Sequence, residues 1–154
     1  MGPFRPSLAG SEASKLEGNI GPGLPAVEVE AARAAIEAVR DGVRSGALRV
    51  AHDISDGGLA ASLAECAIAS DVGCEVSLDP LPAAAPEATL FGECAGCFIV
   101  AGDRERIEEL TGEGVDVVML GQAGGRSLRA GDVEVEVGEA RAAWMSLAAV
   151  LDSV

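Results

Sequence analysis

Aromatic residues are almost missing from this chain: three phenylalanines, one tryptophan and no tyrosine among 154 residues. A core without large rings must be built from Ala, Val, Leu and Ile, whose small side chains let helices lie close to a sheet. Basic residues are also scarce. Lys15 is the single lysine and the arginines are scattered, so the formal net charge is −14 and the pI is near 4.3. Nucleic-acid binding needs clustered Lys and Arg, which excludes it here, and an acidic surface repels anionic lipid. No stretch approaches the roughly 20 apolar residues of a membrane-spanning helix. The opening MGPFRPSLAGSE has no apolar h-region and places Pro6 where a myristoylation motif needs Ser or Thr. These absences predict a cytoplasmic protein in which Cys66, Cys74, Cys94 and Cys97 stay reduced.

What is present begins with punctuation. Residues 1–25 hold nine Gly and Pro residues, from Gly2 to Pro25. That density of breakers predicts a linker-like extended arm followed by one domain over 26–154. From Val27 the pattern becomes helical: Val29, Ala32, Ile36, Val39 and Val43 recur at helix spacing over 27–45, and Gly46 is a natural stop. ALRVAHDIS predicts a strand, GGLAASLAECAIASDVG a helix apolar nearly all round, and CEVSL a strand. A Pro-rich loop with one helical turn near Glu87–Phe91 follows. GCFIVAG predicts a strand, DRERIEELTGEG a helix capped by Asp103, and VDVVMLGQAGG a strand over 115–125. RSLRAGDVEVEVG predicts a hairpin, and EARAAWMSLAAVLDSV a closing helix. This order predicts an α+β fold with α/β-like layers, one mixed sheet covered by helices.

The polar chemistry concentrates in HDISDGG, residues 52–58, which holds the only histidine. A strand, a Gly-Gly pair and a helix place backbone N–H groups and the positive end of a helix dipole at one turn. Gly57 and Gly58 would allow close approach of a phosphate. Asp53 and Asp56 are the carboxylates that could hold Mg²⁺, which takes one or two carboxylates plus phosphate oxygens and water. His52 is suited to proton transfer or hydrogen bonding. The same residues also fit a purely structural turn, with Ser55 or Asp56 capping the helix and Asp53 bracing the loop. A second motif, Cys94–Ala–Gly–Cys97, has the C-x-x-C spacing, yet it runs into a strand, the reverse of the redox arrangement at a helix start. With Cys66 and Cys74 at the wrong spacing for zinc, small buried cysteines are the expectation. GQAGG at 121–125 matches neither the dinucleotide fingerprint nor the P-loop, and no lysine is expected near a candidate site.

SGALRVAHDISDGGLAASLAECAIAS closely resembles the C-terminal-type domain of phosphoribosylformylglycinamidine synthases, within the superfamily of aminoimidazole ribonucleotide and selenophosphate synthetases. AHDISDGGLA is similar to their A-H-D-x-S-[DE]-G-G-L segment, TLFGECAGCFIVAG to their L-F-G-E-S-x-x-R-x-x-V strand, and LGQAGG to L-G-x-V-G. LAGSEASKLEGNIGPGLPAVEVEAARAA resembles their L-G-G-S-E-Y linker and the helix start after it. The likeness spans roughly residues 8–137. Relatives such as selenophosphate synthetase more often show D-x-T-x-G-G.

The resemblance implies a fold like the C-terminal domain of aminoimidazole ribonucleotide synthetase. The whole synthase converts formylglycinamide ribonucleotide to formylglycinamidine ribonucleotide, using Mg-ATP and ammonia from glutamine. It implies Mg²⁺ and ATP or ADP as cofactors, reached through an ATP-binding-type domain of the same synthase. That domain, the glutaminase and small subunits, and a second copy of this chain are the implied partners. The catalytic histidines are implied to lie on the ATP-binding-type domains, so no catalytic residue is assigned here and the chain alone is expected to be inactive. Asp53 matches the aspartate that ligates magnesium in the synthase's first copy, and Glu93, Cys94 and Ala95 match that copy's E-S-Q, which contacts substrate; this chain resembles the second copy, related by pseudo-twofold symmetry and implied to serve a structural nucleotide. The implied ligand-binding set is therefore His52, Asp53, Ser55, Asp56, Gly57, Gly58, Glu93 and Cys94. The chain departs from the pattern by placing Cys94 for serine and Cys97 for arginine, removing two strong donors. The alternatives are an assembly module that only shapes an interface with the ATP-binding domain, or a domain of another superfamily member such as selenophosphate synthetase.

Overall fold

The computed structural model describes residues 1–21, 23–82, 85–112 and 115–151. Twelve elements are present among them: α1 (Glu12–Leu16), α2 (Val29–Arg44), β1 (Leu48–Asp53), α3 (Gly58–Ser70), β2 (Cys74–Val76), α4 (Pro86–Phe91), β3 (Phe98–Gly102), α5 (Arg104–Glu108), β4 (Gly121–Ala123), β5 (Ser127–Ala130), β6 (Val133–Glu136) and α6 (Val137–Leu151). The mixed α/β class matches the expectation, but the strands divide into two sheets instead of one. The chain forms two compact units. Met1–Ser62 with Asp79–Met119 make the first, and Leu63–Leu78 with the residues from Leu120 onward make the second.

In the first unit β1 and β3 pair antiparallel, Leu48 opposite Gly102 and Asp53 opposite Phe98, with an irregularity between Leu48 and Val50. Its core gathers Val39, Leu48 and Ile107, with Phe98, Val100, Leu110, Val117 and Met119 packed against them. Val117 and Met119 explain why the strand expected over 115–125 shortens to β4: the stretch before it packs into this core instead of joining a sheet. Asp103 caps α5 as expected, its carboxylate accepting from Arg106 N–H at 3.3 Å. The helix expected to run to 114 ends at Glu108 with Glu109 as its C-cap, and of the remaining positions 113–114 lie outside the described residues.

Residues 1–25 are more than a linker. Ser7 exchanges backbone hydrogen bonds with Glu93, Gly2 N–H donates to Asp116 O, and α1 starts on a buried Ser11 whose hydroxyl accepts from Ser14 N–H.

The face that α2 buries differs from the expected one. Ala35, Val39 and Gly42 are buried, whereas Val29, Ile36 and Val43 are 60%, 53% and 51% exposed. Space is the reason. A Cβ on Gly42 would stand 2.9 Å from side-chain carbons of Leu48 and Leu110, so only the Ala and Gly face of α2 permits this approach.

In the second unit the strand order is β4-β2-β5-β6. β2 pairs antiparallel with β4 and parallel with β5. β5 and β6 form the expected hairpin, Ala130 opposite Val133 around Gly131, with Arg129 and Glu134 ion-paired at 2.9 Å between facing positions. Asp71, at a left-handed φ of 56°, follows α3 and binds Arg126 and Arg141 at 3.0 and 2.9 Å. The last predicted residues, 152–154, lie outside those described.

Candidate functional site

All of the expected site residues belong to the first unit, around the turn between β1 and α3. β1 ends on His52 and Asp53 because its register with β3 runs out there, and Ile54 N–H then donates to Cys97 O at 2.8 Å. Ile54 is buried and anchors the turn, while Asp53, Ser55 and Asp56 stay exposed. His52 Nδ1 lies 2.7 Å from Asp53 O. A carbonyl only accepts, so this nitrogen carries the proton. The same nitrogen is 3.6 Å from Asp53 Oδ1.

Gly57 and Gly58 take φ values of 78° and 69°, a left-handed pair that non-glycine residues rarely adopt. Gly58 N–H donates to Ser55 O at 3.0 Å, closing the turn. Ser62, one turn into α3 and 2% exposed, sets its hydroxyl 2.9 Å from Asp53 O and 3.0 Å from Gly58 O. It ties the helix to the turn. Replacing Ser62 by alanine is expected to cost about 1 kcal/mol, read as a lower urea midpoint. An unchanged midpoint would show that the hydroxyl contributes nothing.

Glu93 enters the site differently from the implied substrate contact. Its Oε1 accepts from Gly57 N–H at 3.1 Å and from Glu12 N–H at 2.8 Å. One carboxylate thus bridges the amides at the starts of α1 and α3. Its own backbone pairs with Ser7. Cys94, next in the chain, is buried, as is Cys97.

A residue missed in the sequence is Lys15. No lysine was expected near a candidate site, yet α1 brings this one beside it. A hydrogen bond from its ammonium to Glu12 is the main cause of a raised pKa, helped by the charges of Glu12, Glu93 and Asp56. The signal in the sequence was the S-E-x-x-K pattern of a capped first turn, but only the fold shows which turn it faces.

Among the described residues no three or more His, Cys, Asp or Glu side chains converge as a metal cage. A single exposed carboxylate such as Asp53 does fit Mg²⁺, which commonly combines one protein carboxylate with substrate phosphates and water. Asp53 is therefore the residue present that could hold the ion.

The model of the C-terminal domain of AIR synthase related proteins matches residues 2–133. The chain belongs to that family. Among its relatives, the phosphoribosylformylglycinamidine synthase subunit PurL of a Nocardioides species is 38% identical over 153 residues, covering 94% of this chain and 19% of its own length. PurL of Thermococcus gammatolerans is 36% identical over 127 residues, 81% of this chain and 18% of that protein. The chain therefore spans about a fifth of these curated relatives. In fold it is similar to PurLQS of Thermotoga maritima, with a TM-score of 0.60 at 20% identity over 88% of this chain and 25% of that one. Other solved chains of T. maritima PurL are complexes with FGAR, with ADP and with ATP. The family match thus takes in most of this chain and not the HDISDGG turn alone.

Proposed function

We propose that this AIR synthase C-terminal domain works as part of a phosphoribosylformylglycinamidine synthase. In that enzyme formylglycinamide ribonucleotide is converted to formylglycinamidine ribonucleotide with ATP and with ammonia from glutamine. The observation that carries this reading is identity of 36–38% to PurL subunits, 94% of the chain being covered in one of them. The 52–58 turn supports it physically. It presents an exposed carboxylate and a left-handed Gly pair beside an α-helix start, the chemistry of a magnesium-phosphate surface. Asp53 would face the metal of Mg-ATP or Mg-ADP. His52, Ser55, Asp56, Gly57 and Gly58 would line the ligand, and Glu93 and Cys94 would support it from the next turn. The nucleotide would be held chiefly by an ATP-binding-type domain, with residues 1–25 as the connecting arm and 26–154 as the domain proper. Glutaminase and small subunits complete the complex, in the cytoplasm, and the isolated chain is inactive.

Titrating Mg-ADP by calorimetry, with and without the ATP-binding-type domain, tests this. Binding is expected in the mixture and is expected to weaken about tenfold or more in Asp53→Ala, which removes a charged metal ligand. Binding that ignores the substitution rejects the ligand role of the turn.

A second reading has its own observation. Val29, Ile36 and Val43 line up along α2 at heptad spacing and remain about half exposed, and Leu16 and Leu24 are 90% and 80% exposed. Apolar residues left in water at regular spacing suit an assembly surface for the ATP-binding-type domain. Ile36→Glu is then expected to weaken association with that domain while leaving the thermal midpoint of the chain unchanged. Equal association of both proteins removes this reading.

A further inference from the structure

Cys94 and Cys97 play no part in the proposed function, yet they are placed for chemistry of their own. Residues 94–97 form a tight turn between the Ser7–Glu93 bridge and β3, with Gly96 at φ 74° as its third residue. A four-residue turn holds its first and last Cα atoms within about 7 Å, inside the span a disulfide requires. A glycine with positive φ at that third position is what a type II turn demands. Both side chains turn inward: Cys94 is 8% exposed and Cys97 is 1% exposed. Burial keeps large reagents out, but Cys94 also lines a cavity of about 30 Å³ with Pro25, Glu28, Ala95 and Arg5. That volume takes a molecule the size of water or a little larger. The Arg5–Glu28 ion pair, 2.9 Å long, stands at the same cavity, and Arg5 is largely exposed.

We propose that Cys94 and Cys97 form a reversible intramolecular disulfide, with a small peroxide as the oxidant that enters through this cavity. The Cys97 sulfur, as the thiolate that accepts a hydrogen bond from the Cys94 thiol, attacks one peroxide oxygen. An S–O bond forms, the O–O bond breaks, and hydroxide leaves to be protonated to water. The Cys94 sulfur, giving up its proton, then attacks the sulfenic sulfur of Cys97; the S–S bond forms, the S–O bond breaks, and a second hydroxide leaves as water. Two thiols lose two electrons and the two protons of their S–H groups, and one peroxide is reduced to two waters. A low-molecular-weight or protein dithiol reverses it by exchange.

Two features support an easily oxidised pair. The two thiols share a hydrogen bond that, more than any other effect, pushes the pKa of Cys94 up and brings that of Cys97 down. One proton shared between two sulfurs is the condition under which a thiolate becomes available. Cys66 and Cys74, half-buried in the second unit, instead have thiol pKa values raised mainly by burial, and they serve as internal controls.

The test uses the full reduced chain exposed to hydrogen peroxide, then alkylated and cut with a glutamate-specific protease. Cleavage after Glu93 and Glu105 isolates Cys94 and Cys97 on one peptide, apart from Cys66 and Cys74. The expected result is loss of two hydrogens from the peptide of residues 94–105, restored by dithiothreitol, at a peroxide dose about tenfold below that which oxidises Cys66 or Cys74. In Cys94→Ser the peptide should instead carry a sulfenic or over-oxidised Cys97. The wild-type measurement stands even if that variant folds poorly. Alkylation of both cysteines at doses that already oxidise Cys66 and Cys74 overturns the proposal, as does pairing of either with Cys66 or Cys74.

Discussion

Gly58→Ala is expected to destabilise the chain by about 2–5 kcal/mol, the sum of a left-handed backbone penalty and an overpacked contact. The residue sits at φ 69°, and a Cβ there would stand 2.7 Å from Gly92 O and 2.8 Å from both Leu90 O and Phe91 C. Those are backbone atoms, which cannot step aside as a flexible side chain can. Gly46→Ala separates the two contributions. Gly46 has φ 72° but nothing within 4 Å of its Cβ position, so it should lose only the conformational part, about 1–2 kcal/mol. Urea denaturation of the three proteins provides the comparison. If Gly58→Ala costs no more than Gly46→Ala, the close approach of the 90–92 backbone is not a constraint on the turn.

Leu59→Ala should produce a loss of similar size for the opposite reason, a cavity instead of a collision. Leu59 is 0% exposed and is the largest fully buried side chain among the described residues. Truncating a buried leucine removes about 2–5 kcal/mol, because the surroundings relax only partly around the hole. Leu59→Met, nearly equal in volume, should cost less than about 1.5 kcal/mol. A Leu59→Ala loss below about 1 kcal/mol would mean that the first turn of α3 is looser than its burial indicates. Since Leu59 directly follows the Gly pair, the same variant should also loosen the Asp53 loop and reduce any Mg-ADP binding.

Much of this architecture was readable beforehand. Helices with strong punctuation came through: the stop at Gly46, the Asp103 cap and the Gly131 hairpin all stand where local chemistry put them. These are short-range effects in which a backbone N–H or a φ angle is satisfied within a few residues. The face of α2 was misread for the converse reason. Periodicity places Val29, Ile36 and Val43 on one stripe, but it cannot say whether the space opposite admits branched side chains. The 115–119 stretch likewise alternates like a strand and is instead drawn into the first core through Val117 and Met119.

The site shows the same division. HDISDGG was conspicuous because its residue types are uncommon before an apolar helix, and the left-handed Gly57 and Gly58 follow from their having no Cβ. Glu93 and Lys15 could not be given their neighbours in advance: Glu93 lies far along the chain from what it touches, and Lys15, bonded to Glu12 three positions back, comes near the charges of Glu93 and Asp56 only in the fold. Glu93 meets Gly57 and Glu12 across 36 and 81 positions. The sequence by itself determined the helices after residue 25, the hairpin, the strand–turn–helix and the family. Tertiary structure alone decided that the strands separate into two sheets, that α2 packs by its small residues, that one carboxylate joins two helix starts, and that two cysteines face each other beside a water-sized cavity. Local signals are written in neighbouring residues, whereas these contacts depend on the volumes and polar groups that distant segments bring together.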